Sequence, residues 1–140
     1  TALIESMLLG RDSYGIDLNP LAVFLAKVKT TPINPQLLSR EYIKLINRVT
    51  KIENTQLKKP SFKNLEFWFK DKVIIELSKI KKAIKEIKNK KIKNFFLVAF
   101  SEIVRKSSNT KSGEFKLVRI KKEKLENHNP NVLGIFKQKT

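Results

Sequence analysis

Cysteine is missing altogether from this sequence, which removes disulfides, thiolate metal ligands and cysteine nucleophiles together. A single histidine, His128, leaves no cluster for zinc and no partner set for a Ser-His-Asp triad, so most hydrolytic mechanisms are disfavoured. No stretch approaches the roughly eighteen uninterrupted apolar residues of a membrane span, and no basic segment followed by an apolar run and a cleavage site opens the chain. The expectation is a cytoplasmic protein without a membrane partner. The five prolines, Pro20, Pro32, Pro35, Pro60 and Pro130, are all isolated, so no Pro-Pro pair occurs. Acidic residues are scarce: 13 Asp and Glu stand against 30 Lys and Arg, for a net charge of +17.

What is present suits one globular domain. The 140 residues are 41% hydrophobic and include nine Phe and one Trp, enough to support a core, while 31% are charged. The excess positive charge attracts a polyanion at long range, and nucleic acid is the natural candidate. Abundant Lys, Ile and Asn are also what an AT-rich genome imposes on any protein, so composition leaves both readings open.

Along the chain, residues 2–9 read as a short apolar helix that Gly10 ends in a left-handed conformation. A turn at residues 11–13 leads to residues 14–18, a short run that fits a buried strand. Asn19 then reads as an N-cap with Pro20 at the first helical position. Leu21, Phe24, Leu25 and Val28 share one face of the helix that follows, and Pro32 should stop it. From Pro35 the stripe Leu38, Tyr42, Leu45, Ile46, Val49 and Ile52 predicts a long helix. A polar linker follows at 55–61, then an aromatic cluster around Trp68, then the heptad-like seam Val73, Leu77, Ile80, Ile84 and Ile87. Residues 89–94 read as a basic break, 95–104 as a buried helix, 106–113 as a polar loop, 114–120 as a strand, 127–131 as a turn, and 132–137 as the start of a last helix. His128 is expected to be exposed and without chemistry, and the aromatic cluster to be core.

The stretch from Thr1 to Pro32, and above all the string GIDLNPLA followed by LAKVKT, resembles the segment of amino-methylating DNA methyltransferases that follows their Gly-rich cofactor loop FxGxGT. Thr1 is similar to the last residue of that loop. In a doubly wound fold the first strand ends in a Gly-rich turn and the second in a carboxylate that accepts hydrogen bonds from ribose hydroxyls. Asp17, sixteen positions after Thr1, agrees with the roughly twenty expected, a spacing that equally allows a nicotinamide cofactor. The resemblance favours S-adenosylmethionine. It implies that Asp17 holds the ribose, Leu18 packs on adenine, Asn19 and Pro20 start the helix beneath, and Thr1 and Ala2 lie near the methionine end. The fold it implies is α/β: a partial Rossmann-like fragment in residues 1–34, with one strand–helix portion of the cofactor half, followed by a mainly helical basic insertion in 35–140. The family's catalytic motif, a polar residue followed by Pro-Pro and an aromatic, is absent, so no catalytic residue is assigned and the chain alone is expected to be inactive.

The resemblance thus implies part of an S-adenosylmethionine-dependent DNA methyltransferase of the N4-cytosine/N6-adenine type, with DNA and the remainder of the methyltransferase chain as partners. An RNA guanine-amine methyltransferase and a non-enzymatic basic binding module remain alternatives. Two lysine-rich groups are candidates for phosphate contact. One is a ridge from Lys79 to Lys93, which reads equally as a solvated helix face. The other, preferred for its mixture of Arg, short polar side chains and a loop, contains Arg105, Lys106, Asn109, Lys111, Lys116 and Arg119 around residues 107–110.

Overall fold

The computed structural model describes residues 2–111 and 116–140. Its elements are all helical: α1 (Ala2–Leu8), α2 (Pro20–Lys29), α3 (Pro35–Lys51), a 3-10 turn (Asn54–Gln56), α4 (Leu65–Trp68), α5 (Asp71–Lys85), α6 (Lys90–Ser107), α7 (Lys122–Leu125) and α8 (Val132–Lys139). The seam on α5 places Val73, Leu77, Ile80 and Ile84 on one side, all of them buried, and Ile87 continues it beyond the helix. Against that side pack α6, through Ile92, Phe96, Ala99 and Ile103, and α3, through Leu45 and Val49. Helix α8 closes the bundle on α5 and α6 with Val132 and Phe136, and α2 lies on α6. Each such aliphatic or aromatic side chain stabilises the bundle by about 1.5–3 kcal/mol on burial.

Four of these helices begin with the same device. Asn19, Asn34, Asn89 and Asn131 each accept a hydrogen bond on Oδ1 from the backbone N–H of Leu21, Leu37, Ile92 and Gly134 respectively, at 2.8–3.2 Å. An unpaired donor of the first turn is satisfied each time. At the last of these the side chain lies so close that a Cβ on Gly134 would meet it at 2.8 Å. Helix α1 ends as expected: Gly10 has φ +66, its N–H donates to the Met7 carbonyl at 3.1 Å, and the Arg11 N–H reaches the Ser6 carbonyl at 2.9 Å. Outside the core, Glu102 on α6 receives Lys139 of α8 at 2.8 Å and Lys106 at 3.2 Å. The hydrogen bond from Lys139 chiefly holds its carboxyl below the usual glutamate range.

The α/β expectation fails. Among the described residues there is no sheet and no Rossmann-like strand–helix unit, only an isolated antiparallel bridge between Thr110 and Arg119. Residues 14–18 form irregular chain that bends at Leu18, with Tyr14, Ile16 and Leu18 almost wholly exposed at 97%, 100% and 101%. A strand needs a neighbour to take up its backbone donors and acceptors, and none lies beside this segment among the described residues. Of the strand expected over 114–120, residues 114 and 115 fall outside the described residues, and 116–120 contribute only that bridge. The basic break at 89–94 is instead the capped start of α6. No helix among the described residues is long and apolar enough to cross a membrane.

Candidate functional site

Four of the residues expected to hold a cofactor, Asp17, Leu18, Asn19 and Pro20, lie at the head of α2. Asp17 is exposed, and its Oδ1 accepts the Asn19 backbone N–H at 2.8 Å. Asn19 in turn caps α2, and Pro20 occupies its first turn, where a missing N–H costs nothing. The carboxylate is therefore anchored to the backbone at one oxygen. Leu18 projects beside it with no cover at all, and Ala2, at the start of α1, is also exposed. Gly15 lies against α1, where an added Cβ would stand 3.0 Å from Leu3 Cδ1. Thr1 lies outside the described residues.

The second expected site is built where α6 ends. Ser107, Ser108 and Asn109 are polar yet buried, at 0%, 4% and 2% exposure, contrary to the expected surface loop. Asn109 explains why. Its backbone N–H donates to the Trp68 carbonyl at 2.7 Å, its Nδ2 donates to the Phe67 carbonyl at 3.1 Å, and its own carbonyl accepts the Ile120 N–H at 2.9 Å. Ser108 Oγ donates to the Arg105 carbonyl at 2.7 Å, and the Ser108 carbonyl lies 3.0 Å from Nε2 of His128. His128 is thus half-buried and part of this knot rather than exposed.

Arg119 is half-buried with its guanidinium 4.0 Å from the centre of the Phe67 ring, a cation–π contact. Phe67 also meets Trp68 edge to face at 4.8 Å. Around this knot Arg105, Lys106, Lys111 and Lys116 are exposed. Lys106 pairs with Glu102, and the Lys111 N–H donates to the Val118 carbonyl at 2.8 Å. The structure therefore brings Arg105, Lys106, Lys111 and Arg119 to one end of α6, and turns Asn109 inward to tie that end to Phe67, Trp68 and Ile120. The lysine ridge is divided: Lys79 to Lys85 lie on α5 and Lys90, Lys91 and Lys93 on the first turn of α6.

Comparison with known proteins places the chain beside a Type II methyltransferase, M.MvaI of Kocuria varians, to which it is 45% identical over 147 aligned residues. The alignment covers 97% of the chain, and the chain spans about a third, 32%, of that relative's length. No protein-family model and no solved structure matches the chain. The similarity bears out the methyltransferase resemblance carried by Thr1 to Pro32. It also extends that kinship through nearly the whole helical bundle, where no motif announces it.

Proposed function

We propose that this chain is part of a site-specific DNA methyltransferase, one that transfers a methyl group from S-adenosylmethionine to the exocyclic amine of adenine or cytosine in DNA. The observation that carries the reading is the identity to a Type II methyltransferase across 97% of the chain. A DNA substrate agrees with the net charge of +17 and sets the protein in the cytoplasm.

S-adenosylmethionine, when bound, supplies the activated methyl group. An exposed carboxylate anchored at one oxygen, beside an uncovered apolar side chain, fits the nucleoside half of such a cofactor. In this reading Asp17 keeps its second oxygen for the ribose hydroxyls, Leu18 offers the adenine an apolar face, and Asn19 and Pro20 set the angle at which α2 leaves the site. Ala2, exposed at the start of α1, serves the methionine end, a role the resemblance also gives to Thr1. Arg105, Lys106, Lys111, Lys116 and Arg119 contact DNA phosphates, with Asn109 holding their platform. No residue here is assigned a catalytic role, and with no Pro-Pro-aromatic motif the chain alone is expected to transfer nothing.

Isothermal titration of S-adenosylmethionine into the full-length protein tests the assignment. Asp17→Ala is expected to weaken binding by about tenfold or more, roughly 1.4 kcal/mol. Unchanged affinity would remove Asp17 from the cofactor site, and failure of the wild-type protein to bind would favour a basic binding module.

A further inference from the structure

A cleft of about 850 Å³ opens between the segment around Pro60 and helices α5 and α6. Its floor is apolar and partly aromatic, with Phe62, Phe69 and Phe100 among the residues that line it. Phe62 is half-exposed and meets Phe69 edge to face at 6.5 Å, so its ring is held in place yet open to the cleft. The rim is a row of cations. Lys58 and Lys59 come from the linker, and Lys81, Lys82 and Lys85 from α5. Lys59 is paired to Asp71 at 2.7 Å, and Lys82 is tied to the Gln56 carbonyl at 3.1 Å. Lys81 and Lys85 are exposed, and one turn of helix sets them about 6 Å apart along the axis.

We propose that this cleft binds an unpaired nucleic-acid strand, with phosphates on the lysine rim and a base stacked on Phe62. The chemistry is that of single-strand grooves generally, in which cations track the backbone while aromatic side chains take the bases. A duplex presents phosphates but keeps its base faces stacked inside, so it has no use for a recessed aromatic floor. An acidic peptide satisfies the rim but offers the floor a flat ring only where it carries an aromatic side chain, whereas every nucleotide brings one. The inference rests on the DNA reading above for the nature of the polyanion. It deepens that reading by giving the protein a place for strand that has left the helix.

Fluorescence anisotropy with a short labelled oligothymidylate and, separately, a blunt duplex decides the matter in the 140-residue chain. Phe62→Ala is expected to weaken oligothymidylate binding by about tenfold while leaving duplex binding within about twofold. Because Phe62 is half-exposed, the variant folds, and circular dichroism checks that it does. The double variant Lys81→Gln, Lys85→Gln is expected to flatten the salt dependence of oligothymidylate binding by about 0.7 in log–log slope for each phosphate that is no longer neutralised. The proposal is overturned if oligothymidylate does not bind, if neither variant changes its binding, or if duplex binding falls in parallel. It is likewise overturned if polyglutamate competes as well as unlabelled oligothymidylate. Failure of the wild-type chain to bind duplex, with oligothymidylate bound as described, sinks the duplex contacts of the methyltransferase reading and spares the cleft.

Discussion

Asn109 shows how little a single residue's polarity says about its place. With 2% of its surface exposed, it donates from backbone and side chain to the carbonyls of two adjacent residues, Trp68 and Phe67, the latter 42 positions away in sequence. Replacing it with Ala leaves the Phe67 carbonyl without its donor, so Asn109→Ala is expected to cost about 1–3 kcal/mol. Urea denaturation with an unchanged m-value would measure that loss, and a shift in midpoint too small to resolve would show the bond to be dispensable. Polarity in the string Ser107-Ser108-Asn109-Thr110 predicts an exposed loop. The partners that reverse this prediction belong to another part of the chain, and no local pattern points to them. His128 is misjudged for the same reason, since its partner is the Ser108 carbonyl. The Asn19 cap, by contrast, is legible because its hydrogen bond closes within two residues.

At the scale of elements, periodicity is a dependable guide wherever a helix buries one stripe. The seam on α5 and the stripe on α3 can be read off because spacings of three and four report a shared face, and those faces are the core. Ile80 sits fully buried at the centre of that seam. Ile80→Ala is expected to destabilise the bundle by about 2–5 kcal/mol, whereas Lys88→Ala, on the exposed surface, should stay within about 0.5 kcal/mol. Thermal melting of the two variants separates them, and equal melting temperatures would remove Ile80 from the centre of the core. Residues 14–18 mark the limit of periodicity as a guide. A short apolar run is compatible with a buried strand and with an uncovered linker, and only the neighbours decide between them. Here Tyr14, Ile16 and Leu18 find none among the described residues.

For the molecule as a whole, three kinds of surface are distributed around one helical core: the head of α2 with its anchored carboxylate, the cationic end of α6, and the aromatic cleft beside α5. The similarity to a Type II methyltransferase covers 97% of the chain, so it spans the helical part as well as the segment at the head of α2. The uncovered stretch between α1 and α2 also has a practical outcome. An endoprotease needs several residues of exposed backbone outside regular structure, and Arg11 opens such a stretch at the end of α1, while Arg40, Arg48 and Arg105 are held in helices and Arg119 is half-buried in the knot. An arginine-specific protease is expected to nick the chain first after Arg11, releasing α1 from a helical remainder that stays resistant. Mass spectrometry of the early digest checks this, and a first cut within α3 or α6 would mean that the bundle breathes more readily than its packing suggests.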